Sequence, residues 1–228
     1  MKKFSILSLA ILCTFCSTPV KKSMLVSGKV EGLRKGKLYL QKMEDSLIIS
    51  IDSITINGQD SFQLGDNINS PEFYLLGLSV DDSIYEKIAF FGEKGEIKIN
   101  TLLRTFGSSA KIEGSKNQDL WDEYQSIMRK FNNQNLDNYK NYVNDQDSLS
   151  VEQRNKRLEK DNQKLLKRKY LYALNFAMNN SDKEIAAYIG TYEVNDAVPL
   201  LLDSLYNKLS PEVKSSKYGQ MLMEQLNQ

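Results

Sequence analysis

Leu47-Ile48-Ile49-Ser50-Ile51-Asp52-Ser53-Ile54-Thr55-Ile56-Asn57-Gly58 is the stretch whose reading decides the class of the first half. Isoleucine dominates it, and a β-branched side chain packs well on a pleated surface. Asn57-Gly58 closes it. That dipeptide is the strongest short hairpin signal, because a tight primed turn needs positive φ at both central residues. Phe62-Gln63-Leu64 then returns as the next extended piece.

The same rhythm continues on either side. Upstream, Leu25-Val26-Ser27-Gly28-Lys29-Val30 reads as a strand, Gly32 and Gly36 flank a turn, and Lys37-Leu38-Tyr39-Leu40-Gln41 alternates polar and apolar. Downstream, Glu72-Phe73-Tyr74-Leu75-Leu76 follows Pro71, and Ile84 to Phe91 is extended. Glu93-Lys94-Gly95 turns into the clean alternation of Glu96-Ile97-Lys98-Ile99-Asn100, and Ala110-Lys111-Ile112-Glu113-Gly114 ends the series. Turn signals at intervals of about 8–12 residues indicate an antiparallel sandwich or barrel.

After Ser115 the hydrophobic period lengthens. Leu120, Tyr124, Ile127, Met128 and Phe131 share one helical face, with Trp121 off the stripe. The Asn/Asp-rich stretch from Asn132 to Ser148 reads as a helix end plus a loop. A long helix follows from about Leu149 to Met178. Ser181 with Glu184 has the form of a capping box for a helix through Ile185, Tyr188 and Ile189. Pro199 opens another helix, and Ser210-Pro211 starts the last. The expected fold is therefore α+β: an N-terminal antiparallel β-sandwich or barrel-like domain over 24–116, then an all-helical region over 117–228.

Composition constrains function mainly by exclusion. The 228 residues are 41% hydrophobic and 26% charged, which suits one or two packed cores. A net charge of +1 gives no reason to expect nucleic acid as a partner. Histidine is absent, which removes Ser-His and Cys-His nucleophile activation and the commonest zinc ligand. No catalytic residue, metal site or cofactor is expected; carboxylates, Lys and Tyr remain as acid–base groups.

Both cysteines lie in the first 16 residues, as Cys13-Thr14-Phe15-Cys16. A C-x-x-C spacing reads as a redox pair beside a βαβ unit. Here it follows Lys2-Lys3 and the apolar run Phe4 to Leu12, the basic start and short hydrophobic stretch of a secretory signal, too short to span a bilayer. A run of this kind ending in Cys-Ser-Thr-Pro resembles the signal of a bacterial lipoprotein. The resemblance implies a signal segment over 1–16, lipid on Cys16 and a polar tether over 17–23, so that the membrane is a partner through this N-terminal lipid. It departs from the usual pattern in having Phe15, not a small residue, before the cysteine. Ordinary signal-peptidase cleavage is the alternative.

The first half also resembles a domain of unknown function, DUF4369. The resemblance rests on Gly28-Lys29-Val30-Glu31-Gly32, Lys37-Leu38-Tyr39-Leu40, Ile51-Asp52-Ser53, Asn57-Gly58, Phe62-Gln63-Leu64-Gly65, Pro71-Glu72-Phe73-Tyr74-Leu75, the run from Gly92 to Ile99, and Glu113-Gly114-Ser115 with Asn117. It implies a lipoprotein of the Bacteroidetes cell envelope, on a membrane facing the periplasm and most often the outer one. In that family a helical segment follows, similar here down to Leu209 to Gly219, and then a thioredoxin-like domain that would begin just past Gln228. The expected function is a non-enzymatic binding or scaffolding module, or else an accessory partner of a thioredoxin-like disulfide system.

Four features compete with a bland structural reading. Asp52-Ser53 is a candidate site carboxylate or a strand-end pair bonding to nearby backbone. Asp81-Asp82-Ser83 is an oxygen-ligand turn or a solvated one. Trp121, Tyr124 and Phe131, with Tyr139 and Tyr142, form a carbohydrate-stacking face or a helical core. Finally, 44–96 carries eleven acidic against two basic residues, and 151–170 eight basic against three acidic, net −9 and +5. This asymmetry marks Lys164, Lys167, Arg168 and Lys169 as an interaction face, for the acidic β domain or for a partner.

Overall fold

The computed structural model describes residues 22–44, 46–80, 83–195 and 197–227. The expectations for the signal segment, for Cys13 and Cys16, and for an ion at Asp81-Asp82 fall outside them. Eight strands follow in order: β1 Met24–Glu31, β2 Lys35–Glu44, β3 Leu47–Asn57, β4 Ser61–Asp66, β5 Glu72–Val80, β6 Ser83–Gly92, β7 Gly95–Leu102 and β8 Lys111–Glu113. They form two four-stranded sheets, β4-β1-β7-β8 and β3-β2-β5-β6, packed face to face over Val26, Leu38, Leu40, Phe62, Leu76 and Phe90.

The sandwich departs from a simple meander at two places. Asn57-Gly58 does not close a hairpin within one sheet. Gly58, at φ +98°, turns the chain from the edge of one sheet to the edge of the other, and its N–H donates to the Arg34 carbonyl (2.8 Å). The second departure is that β1 and β7 run parallel, the one non-antiparallel pairing among the described strands. The backbones come so close there that a Cβ on Gly28 would lie 1.8 Å from the Ile99 carbonyl oxygen. Only glycine fits that position.

The second half is helical: α1 Lys116–Asn144, α2 Val151–Asn179, α3 Glu184–Tyr188 running into a π-helical turn Ile189–Glu193, α4 Pro199–Lys208, α5 Pro211–Ser215 and α6 Lys217–Leu226. α1 and α2 make a long antiparallel hairpin. The stretch Asn132 to Ser148, expected as a helix end plus a loop, is mostly helix, since α1 continues to Asn144. Its polar residues find partners across the hairpin: Asn138 donates to Asn162 (3.0 Å), and Arg168 to Gln134 (3.2 Å). Ser150 with Gln153 forms a true capping box for α2. The expected box at Ser181 and Glu184 does not form; α3 starts after Lys183, which makes no side-chain cap. Instead Asn117 of α1 accepts the Ile185 N–H (3.0 Å). The last expected helix is broken at Ser216, which ends α5 and caps α6 by accepting the Gly219 N–H.

Candidate functional site

The two halves meet along an aromatic seam. Phe73 of β5 and Phe91 of β6 are cross-strand partners on the face of their sheet that points away from the sandwich core. Their rings lie 4.2 Å apart. Against them pack Trp121 from α1 (5.2 Å from Phe73), Tyr188 from α3 (4.6 Å from Phe73) and Tyr218 from α6 (6.2 Å from Phe91). Centroid separations of 4.5–7 Å with tilted or edge-on planes are the favourable aromatic geometries. Hydrogen bonds fix the register. The Phe91 N–H, on the edge strand β6, donates to Gln118 (2.8 Å), and the Phe73 N–H donates to the Tyr218 hydroxyl (2.9 Å). Gln118 thus covers a backbone donor that the edge strand β6 would leave open.

Beside the seam lies a cleft of about 970 Å³ between the end of β2, the β4–β5 loop and α6. One wall is aromatic, with Phe73, Tyr188, Tyr192 and Tyr218; the rim carries Asn67, Asn69, Ser70 and Gln220. Tyr192 is 46% exposed, and its hydroxyl donates to the Met221 sulfur (3.7 Å). Of the five charged side chains that line it, Lys42 and Lys217 pair with Glu44 and Glu72, and Glu224 of α6 is exposed. Lys42 Nζ lies 3.4 Å from Glu72 and 3.6 Å from Asp66, and Lys217 pairs with Glu72 while donating to the Met43 carbonyl (2.8 Å). Burial pulls the Lys42 ammonium down, but Glu72 and Asp66 outweigh it and hold its pKa above the ordinary value. Burial and the nearby Glu193 charge push the Tyr188 phenol up to about 12, and burial raises Tyr218 as well. The cleft thus offers aromatic faces, neutral donors and acceptors, paired charges and the exposed Glu224 side chain. Among the described residues no three carboxylate or thiolate groups converge on a metal position, and no described helix is long and apolar enough to cross a membrane.

This two-sheet sandwich and its sealed edge belong to a recognised unit. Residues 24–121 match the family model of DUF4369. The matching family model is described as a domain of unknown function, and no curated protein or solved structure matches the chain. The matched span runs past the last strand and ends at Trp121. The turns of α1 that bring Asn117, Gln118 and Trp121 to the seam therefore lie within the matched span.

The basic residues singled out in the sequence sit elsewhere. Lys164, Lys167 and Arg168 are exposed on α2 and Lys169 is half-buried; Arg168 lies 5.9 Å over the Phe131 ring of α1. Among the described residues none of the four forms an ion pair with an acidic side chain of residues 24–121. The acidic side chains have partners close by instead. Asp60 pairs with Lys29, and Glu93 accepts from the N–H groups of Lys116 and Asn117 at the start of α1. Exposed pairs contribute about 0–1 kcal/mol each, whereas burying a large apolar side chain contributes about 1.5–3, so the aromatic seam decides how the halves meet.

Asp52 lies in the middle of β3, not at a strand end as expected. It accepts from the Ser53 and Gly65 N–H groups (2.8 and 3.0 Å) and from Lys22. Burial works against its charge, but these donors hold its carboxyl below the ordinary range. Tyr124 is buried and Trp121 and Phe131 pack on the helical core, while Tyr139 is exposed. Phe73, Tyr188, Tyr192, Tyr218 and Lys217 escaped the sequence reading. One signal for them was present: Phe73-Tyr74-Leu75-Leu76-Gly77-Leu78 is apolar at both parities, the mark of a strand covered on both faces.

Proposed function

We propose that this chain is a non-enzymatic binding module of the bacterial cell envelope, tied by lipid on Cys16 to the periplasmic face of the outer membrane, with its ligand in the cleft beside the seam. The observation that carries this reading is the chemistry of the cleft: Lys42 and Lys217 are paired with Glu44 and Glu72, and tyrosine faces with amide and hydroxyl groups make up most of the remaining lining. Such a site suits an uncharged ligand rich in hydroxyl or amide groups, chemically a neutral oligosaccharide. The test is capture of neutral oligosaccharides from solubilised envelope on the immobilised chain, with Tyr192→Ala as the control. Retention that Tyr192→Ala abolishes supports the reading, and recovery of a chemically altered sugar contradicts the non-enzymatic part of it.

The anchor has its own test. Cys16→Ser should convert a detergent-requiring protein into a freely soluble one, and an unmodified soluble wild type refutes lipidation. The family resemblance favours a second reading, an accessory partner of a thioredoxin-like oxidoreductase. In that case the same extract yields a thioredoxin-like protein on the column, with α2 around Lys164, Lys167, Arg168 and Lys169 as the face to mutate.

A further inference from the structure

The basic residues of α2 divide by the face they occupy. The arginines turn toward α1 and the turn that ends it. Arg154 donates to the Tyr142 carbonyl (3.2 Å), Arg157 to Asp145 (2.7 Å) and Arg168 to Gln134 (3.2 Å). Lys156, Lys160, Lys164 and Lys167 turn the other way. At about 100° and 1.5 Å per residue they fall within a sector of about 80°, over about 16 Å of helix. That sector lies away from Arg154 and the buried Leu165. All four lysines are exposed, and among the described residues none forms an ion pair. Glu159, at the edge of the strip, accepts from Gln163 instead (3.2 Å). Like charges three or four residues apart destabilise a helix, and successive lysines of the strip stand at that spacing with no partner to offset the cost. Of the residues marked in the sequence, Lys164 and Lys167 belong to this strip; Arg168 is taken up by α1 and Lys169 is half-buried.

We propose that this lysine strip lies along an anionic bilayer surface. The complementarity is one of charge and of shape. Four lysines in one narrow sector of a helix can all reach a plane at once, and lysine clusters on one helix face attract anionic headgroups. A protein partner would instead need an acidic groove fitted to a convex ridge. Leu171 stands in the same sector one turn beyond Lys167 and is 48% exposed, an apolar foot for the boundary between headgroups and acyl chains. No aromatic side chain interleaves the lysines to stack on bases, as single-stranded nucleic acid requires. The lysine stems are long enough to lie on the surface while their ammonium groups stay among the phosphates. The inference is independent of the ligand in the cleft and of lipid on Cys16.

The test is lysine footprinting on the full chain with Cys13→Ser and Cys16→Ser, which carries no lipid. Acetylation of Lys156, Lys160, Lys164 and Lys167 should slow at least about fivefold on phosphatidylglycerol vesicles and not on phosphatidylcholine vesicles. Lys35, Lys94, Lys98 and Lys111, exposed on the sandwich, should react alike on both. The protection should vanish at about 1 M salt, where the screening length is about 3 Å. Replacing the four strip lysines with glutamine should lower the partition coefficient onto phosphatidylglycerol vesicles at least about tenfold without lowering the melting temperature. Replacing the four sandwich lysines removes the same charge and should leave the partition nearly unchanged. The proposal is overturned by strip lysines that react equally on the two kinds of vesicle, by protection that survives high salt, or by equal losses from the two sets of substitutions. It is equally overturned by an acidic protein that protects the strip when phosphatidylglycerol does not.

Discussion

Asn117 shows how much of the assembly rests on single side chains. It is buried in the first turn of α1, accepts the Ile185 N–H, and donates to Glu93 of the β6–β7 turn (3.0 Å) and to Glu184 of α3 (3.3 Å). Two carboxylates thus converge on one amide. Burial raises the Glu184 carboxyl above its ordinary 4.5, and the Glu93 charge adds to the effect. The folded chain therefore holds that proton more tightly than the unfolded chain. Stability from this group is full below 4.5 and declines as pH rises through the raised value. Glu184→Gln keeps an acceptor for Asn117 and removes the charge. It should raise the melting temperature at neutral pH and leave it unchanged at about pH 4, where the carboxyl is already protonated. Equal shifts at both pH values contradict this account. At this scale the sequence was partly readable. The backbone-bonding role of Asp52 follows from its own neighbours, but the role of Asn117 depends on a helix 68 residues away.

At the scale of elements, the α1–α2 hairpin is uneven along its length. No described residue from 129 to 144, nor from 151 to 164, is buried, whereas Ala173, Leu174, Phe176 and Ala177 at the base are. Local opening needs few lost apolar contacts at the tip and many at the base. Native-state hydrogen exchange should therefore show the amides of 132–144 and 151–160 exchanging by local opening, and those of 173–177 only on global unfolding. Uniform protection along both helices contradicts this. The same unevenness explains why the sequence hid the second half of α1. Asn-rich segments have weak helix propensity, and pairing with α2 overrides it. The Asn57-Gly58 corner failed differently: the turn chemistry was correct, but local residues do not say whether the returning strand joins the same sheet.

For the whole molecule, the sheet β3-β2-β5-β6 serves two cores. Phe90 faces the sandwich interior, while its neighbour Phe91 belongs to the helical cluster. The alternation that revealed the strands held this information at the opposite parity, and the helical stripe pointed to a core without saying what it packs on. Because the cores share one sheet, Phe91→Ala should cost about 3–5 kcal/mol and lower the unfolding of both halves together. Trp121 fluorescence and far-UV circular dichroism should give coincident transitions before and after the substitution; separate transitions contradict a shared core. The central claim is that this seam builds a cleft for an uncharged ligand. Trp121, the only tryptophan, stands 5.4 Å from Tyr188 in the cleft wall and reports on it directly. The decisive measurement is its emission during titration with neutral oligosaccharides. The account predicts a saturable change that Tyr192→Ala abolishes, with the sugar recovered intact; emission that stays flat at the highest concentration of every sugar contradicts it.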